Sequence, residues 1–222
     1  MAATAASPHT AGHSHHFQRT TPMNIGILVF DDMELLDMAG PYEVFTTASR
    51  VAARSLPAGS APLFNVVTLA AASGLVRARA GLRMQPDFTL ADHPPLHVAL
   101  VPGGVVDAEL QRPDVLAWIA AQRRSAPLLA SVCTGSLLLA AAGVLDGLAA
   151  TTHWEDLAEL RQLRPAVQVR SGVRWVDEGA IVTSAGISAG MDMSLHLVRR
   201  LHGHALAART AKQMDYDWND TP

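Results

Sequence analysis

Leu128-Leu129-Ala130-Ser131-Val132-Cys133-Thr134-Gly135-Ser136 runs from an apolar stretch into a turn of small residues, and an Ala/Leu-rich segment follows at once. Leu128 to Val132 reads as a parallel strand buried on both faces. Thr134 to Ala142 reads as a helix stopped by Gly143. Cys133 therefore falls on a sharp strand-to-helix turn of the kind that presents a nucleophile, although the G-x-S-x-G form of that elbow is absent. The unpaired N–H groups of a helix start would favour thiolate over thiol there. The competing reading is a buried structural cysteine, which free cysteines often are. The strand–Cys–Thr–Gly–helix context favours the nucleophile.

The same alternation extends in both directions from this turn. Upstream, Ile25 to Phe30, Phe64 to Ala70 and His97 to Val101 are short, nearly continuous apolar runs. Leu35, Met38, Val44 and Phe45 mark a helix that Gly40-Pro41 starts or interrupts. Leu75 to Arg79 and Leu82 to Gln85 suggest a hairpin turning at Ala80-Gly81. Asp114 to Arg124 reads as an amphipathic helix. Downstream come a short strand at Ala149 to Thr152, a helix from about Glu155 to Leu163, and short strands at Val167 to Ser171, Val173 to Val176 and Ala180 to Thr183. Helices over Ser188 to Leu201 and Ala205 to Met214 complete the pattern. Strands alternating with helices predict an α/β fold with a mostly parallel sheet and helices on both sides. Ligands of such sheets sit beyond the C-terminal ends of the strands. The segments after Phe30, Val101 and Val132 all meet that condition.

Two of those segments carry chemistry that complements a thiol. Pro102-Gly103-Gly104 lets backbone N–H groups approach a reacting centre as oxyanion donors. Alone it would be no more than a tight turn. Asp31, Asp32 and Glu34 suit solvated or capping roles. Asp37 differs because Leu35, Leu36, Met38 and Ala39 surround it. A carboxyl among apolar neighbours tends to stay protonated, which suits a general acid beside a thiol.

Composition narrows the field. Of 222 residues, 49% are hydrophobic and 17% charged, enough for a well-filled core. A net charge of -3 offers no general attraction to nucleic acid or anionic membrane, and the pairs Arg123-Arg124 and Arg199-Arg200 suit solvated helix ends. No run is apolar enough to span a bilayer. A single cysteine excludes an intrachain disulfide and fits a reducing compartment, so a cytoplasmic location is expected. Residues 1–22 are rich in Ala, Ser, Thr and His and lack the apolar core of a secretory signal. They read as a disordered tail in which nothing preorganises His13, His15 and His16 for a metal. Residues 23–222 read as one domain. His97, His196 and His202 lack partner acids at metal spacing, and no P-loop or dinucleotide fingerprint occurs, so no metal or cofactor is expected. Trp118 and Trp175 suit the core.

The chain resembles the DJ-1/PfpI (ThiJ) superfamily from Asn24 to Met214, and within it the isocyanide hydratases most. The resemblance rests on Leu-Asp-Met-Ala-Gly-Pro at 36–41, Val-Pro-Gly-Gly at 101–104, Ser-Val-Cys-Thr-Gly-Ser at 131–136, Ala-Ala-Gly-Val-Leu-Asp-Gly at 141–147, Ala-Thr-Thr-His-Trp at 150–154 and Thr-Ser-Ala-Gly-Ile-Ser-Ala-Gly-Met-Asp at 183–192. The ligand-sensing domains of AraC-type regulators share several of these segments. The resemblance implies a flavodoxin-like three-layer sandwich and a homodimer. It also implies Cys133 as nucleophile, Asp37 as its carboxyl partner, and donors from Thr134 and Gly104. The implied reaction is hydration of an isocyanide to an N-substituted formamide.

Where hydrolase branches of the superfamily place a His after the nucleophile, this chain has Thr134, which weakens peptidase, deglycase and glutaminase readings. His153 is the remaining candidate base, though a hydrogen-bonded structural role suits a histidine beside a short strand better. Two rival functions remain. A ligand sensor of the AraC type would need a helix-turn-helix pair after about Met214, whereas the sequence stops at Pro222, so DNA binding in that manner is not expected. A redox sensor would oxidise Cys133 reversibly without turnover.

Overall fold

The structure is a computed structural model that describes residues 21–222. The tail expected over residues 1–22, with His13, His15 and His16, lies almost wholly outside the described residues.

In chain order the elements are β1 (Met23–Leu28), α1 (Leu35–Ala53), β2 (Phe64–Ala70), β3 (Val76–Arg77), β4 (Arg83–Met84), β5 (Phe88–Thr89), β6 (Val98–Val101), α2 (Asp107–Leu110) and α3 (Pro113–Ser125). They continue with β7 (Leu128–Val132), α4 (Gly135–Ala141), β8 (Ala149–Ala150), α5 (Leu157–Leu163), β9 (Gln168–Val169), β10 (Trp175–Asp177), β11 (Ile181–Ser184), α6 (Ala189–His202) and α7 (His204–Gln213). The main sheet is ordered β10-β11-β7-β6-β1-β2-β5, parallel throughout except at β10. Its five central strands, β2-β1-β6-β7-β11, follow the flavodoxin-like order, which reverses direction between β1 and β6.

Every residue of β6, β7 and β11 is buried, as expected of strands covered on both faces. Helices α1, α6 and α7 pack together on one side, while α2, α3, α4 and α5 pack together on the other. The result is the expected three-layer α/β sandwich. No helix among the described residues is long and apolar enough to cross a membrane.

The departures from sequence expectation are local. Helix α1 runs through Pro41, whose missing N–H leaves the Asp37 carbonyl without its helical donor. The strand expected at Ala149 to Thr152 pairs with β9 in a separate two-stranded sheet and never joins the main one. Two short elements, β5 and α2, were not anticipated, because runs of two and four residues carry no readable period.

The hairpin β3–β4 turns at Ala80-Gly81 as expected, and it serves the sheet's C-terminal end. Its backbone is tied to the loop after β1: the Arg77 N–H donates to Asp31 Oδ1 at 2.8 Å, and the Arg79 N–H donates to the Met33 carbonyl at 3.0 Å.

The turn after β7 is packed against the end of β6 with no room to spare. A Cβ on Gly135 would collide with the carbonyl oxygen of Val101 and lie 2.7 Å from that of Pro102. Those atoms are backbone and cannot swing aside. Gly135→Ala is therefore expected to lower the melting temperature by several degrees, measured by calorimetry, since overpacking costs about 1–3 kcal/mol. An unchanged melting temperature would show that the β6–β7 contact is looser than described.

Candidate active site

Cys133 has φ 56°, a left-handed conformation that side-chain-bearing residues rarely adopt. Such a conformation costs about 1–3 kcal/mol and persists only where the surroundings hold it. Here both backbone groups of Cys133 are held. Its N–H is shared between the carbonyls of Ser184 and Ala185 at 3.2 and 3.3 Å. Its carbonyl accepts hydrogen bonds from the hydroxyls of Thr152 and Ser136 at 3.0 and 3.2 Å. The elbow expected from sequence is thus built from the ends of β7 and β11 and the segment after β8.

The three turns singled out in the sequence meet at this point. Asp37 is fully buried, and its Oδ2 accepts the Gly103 N–H at 3.0 Å. Its other oxygen, Oδ1, is buried with no hydrogen-bond partner among the described residues. Burial, helped by the nearby Glu34 charge, pushes the Asp37 carboxyl up to about 7, although the Gly103 N–H and the Cys133 thiol pull in the opposite direction. The thiol and the carboxyl sense one another, each shifting the other's titration.

The thiol departs from expectation. Burial, followed by the Asp37 charge, pushes Cys133 up to about 12, with a smaller contribution from Asp156. The N–H groups of Thr134 and Ile187 act the other way but do not prevail. The helix start therefore does not by itself make a thiolate, because the sulfur sits in a largely buried pocket beside an acid.

Thr134 and Gly104 are brought together, but they bond to each other. The Gly104 N–H donates to the Thr134 hydroxyl at 2.8 Å, and that hydroxyl donates to the Gly104 carbonyl at 2.9 Å. As placed, the Gly104 N–H is engaged, and the donors facing the sulfur are the backbone N–H groups of Thr134 and Ile187. Ile187, with φ 47°, is the residue that sequence reading did not single out. The small-residue run from Ser184 to Gly190 was the available clue, since it forms the tight turn leading into α6.

A cavity of about 310 Å³ opens over Cys133, within the range of small-ligand sites. His153 lines it, with Nδ1 3.4 Å from Asp156 and 3.6 Å from Glu155. Its ring fills the space left by Gly186, where a Cβ would collide with Cδ2. Among the described residues, three histidines named in the sequence lie away from this cavity, His202 against the Phe64 ring. His97 Nδ1 accepts the Asn24 N–H at 3.0 Å, and His196 bridges Asp177 and Arg199. Trp175 is buried and stacks on His196, while Trp118 is buried and donates to His93, both as core residues.

The sequence profile of the DJ-1/PfpI family matches residues 23–200. An isonitrile hydratase from Pseudomonas putida is 34% identical over 195 residues, covering 87% of this chain and 78% of that protein. The HTH-type transcriptional regulator GbdR of Pseudomonas aeruginosa is 32% identical over 200 residues, or 90% of this chain, and the chain spans only 52% of that regulator. Among solved structures, a ThiJ/PfpI family protein from Pseudomonas syringae superposes with a TM-score of 0.77 at 28% identity, covering 96% of this chain and 83% of that one.

Proposed function

Since the chain belongs to the DJ-1/PfpI family, we propose that it is an isocyanide hydratase in which Cys133 is the nucleophile and Asp37 the proton carrier. One observation carries this reading: the thiol that lines a small-ligand cavity is buried within electrostatic reach of a buried carboxyl with an unpartnered oxygen.

The two groups titrate as a pair. With Asp37 near 7 and Cys133 near 12, the pair holds a single proton across the range between. That proton can sit on sulfur or on the carboxyl, and the form with thiolate and neutral acid is the reactive one. The isocyanide carbon accepts the thiolate, forming the S–C bond, and takes the Asp37 proton, forming the C–H bond. The product is a thioimidate, and Asp37 is left as a carboxylate. Water then adds to the same carbon while Asp37 relays a water proton to nitrogen. The tetrahedral adduct collapses, its hydroxyl proton returns to Asp37, and the Cys133 thiolate leaves. The sum is one isocyanide plus one water giving one formamide, with the pair restored. No metal or cofactor enters this scheme, and we assign the active molecule as a homodimer.

The activity test is incubation with a simple alkyl or aryl isocyanide, following formamide by chromatography. Sustained turnover supports the reading. Consumption that stops at one equivalent per chain would overturn it. That result would favour the second reading, a ligand-sensing module, which the 32% identity to a transcriptional regulator supports.

A further inference from the structure

The cavity over Cys133 has a strongly one-sided charge. Glu34, Asp107, Glu155, Asp156 and Glu159 line it, against the single guanidinium of Arg79. Arg79 lies 4.0 Å from Glu34. Asp107, Glu155, Asp156 and Glu159 have no Lys or Arg partner among the described residues, and only His153 stands near two of them. The chain as a whole carries a formal charge of only -3, so this is a local concentration. A bare acidic surface would be solvated and mean little. Here the carboxylates rim a concave site that holds a thiol, next to the buried and unpartnered Oδ1 of Asp37. Walls of low dielectric focus such a field into the cavity. No cluster of three or more His, Cys, Asp or Glu among the described residues is arranged to hold a metal ion, so chelation does not explain the rim. Between the acids, the half-exposed side chains of Val105 and Ile187 offer apolar contact within the same lining.

We infer that the small molecule reaching Cys133 carries a positive charge on an apolar body, as an ammonium-bearing alkyl compound would, and that the carboxylate rim selects it over neutral and anionic analogues. This adds the substrate's charge to the hydratase reading but rests only on Cys133 being the point of reaction, so the two fail separately. The charge also has a chemical use. The Asp156 carboxylate adds to the burial that holds the thiol protonated, and a cation bound in the mouth offsets that charge just when a thiolate is needed.

The chain has one cysteine, so modification of Cys133 can be read without ambiguity. Three methanethiosulfonates of matched reactivity serve as probes: trimethylammonioethyl, methyl and sulfonatoethyl. Rates are normalised to a small neutral free thiol. The cationic reagent is expected to outpace the anionic one by at least about tenfold beyond the free-thiol ratio, since focused fields change encounter rates by about 10–10³-fold. Raising the salt to about 1 M, where the screening length is about 3 Å, should bring the ratio back towards the free-thiol value. Combining Glu155→Gln, Asp156→Asn and Glu159→Gln should do the same at low salt. The salt series on the wild-type protein stands even where the triple variant folds poorly. A free-thiol ratio at low salt, a faster anionic reagent, or no modification by any of the three would overturn the inference. A preference unchanged in a well-folded triple variant would overturn its assignment to these carboxylates.

Discussion

Cys133→Ala is expected to abolish formamide formation, with a loss of at least about a thousandfold in kcat, because removing a covalent nucleophile leaves only binding and bystander groups. The substitution removes a single sulfur atom from a residue that is 7% exposed. The backbone bonds that hold the left-handed turn, from Ser184, Ala185, Thr152 and Ser136, all go to main-chain atoms of residue 133 and survive the change. The variant should therefore fold with a melting temperature close to that of the wild type, which separates loss of chemistry from loss of structure. Cys133→Ser provides the companion test. Its hydroxyl fits the space and can hydrogen-bond, but at neutral pH it supplies almost no oxyanion, so activity should fall nearly as far. Full activity in either variant would remove the covalent route.

Asp37→Asn is expected to move two observables in opposite directions. Turnover should fall by about 10²–10⁴-fold, the usual contribution of a positioned acid or base. Meanwhile the thiol should become more reactive towards iodoacetamide near pH 8, because the second largest influence holding it protonated is the Asp37 charge. A residue of merely structural importance would lower both rates or neither. The wild-type pH profile follows from the same pair. Below about 7 both groups are protonated, so kcat/KM should rise with pH through an apparent value near 7 and then hold, and the Asp37→Asn variant should lose that limb. Stability gives an independent check with a definite sign. The folded pKa of Asp37 lies above its ordinary value of 3.8, so the native state binds the extra proton and stability falls as pH rises from about 4 to about 7. Relative to the wild type, Asp37→Asn should thus gain stability across that window, by a few kcal/mol at most. Denaturant titrations at pH 4 and pH 8 would show the change, and equal offsets at both would contradict it.

Much of this arrangement was legible in the sequence because its determinants are local. A largely apolar run such as Leu128–Val132, bounded by turn residues, reads as a covered strand, and the observed β7 has those bounds. Phe64–Ala70 likewise forms β2 with the bounds its pattern indicated. Because parallel strands place their C-terminal turns at one end of the sheet, the segments holding Asp37, Gly103–Gly104 and Cys133 could be expected to converge, and they do. What escaped depends on contacts between distant segments. The Thr134 hydroxyl could not be known to engage Gly104, 30 residues away, until both turns were in place. The Ile187 N–H reaches the sulfur from the turn into α6, which is left-handed at that residue. The thiol's titration differs from the sequence expectation for a related reason. A helix start is visible in sequence, whereas the depth of burial that outweighs it belongs to the packed molecule. The acidic cavity mouth was hidden in the same way, since Glu34, Asp107 and the Glu155–Glu159 segment meet only in three dimensions.

The covalent step is tested most directly by mixing the protein with a limiting amount of isocyanide, quenching in acid at successive times, and weighing the intact chain and its Cys133 peptide. The thioimidate route predicts an adduct of one substrate mass on that peptide, rising and then decaying as formamide appears, and absent from Cys133→Ala. Formamide released at full rate with Cys133 unmodified throughout, or an adduct that forms and is never discharged, would contradict it.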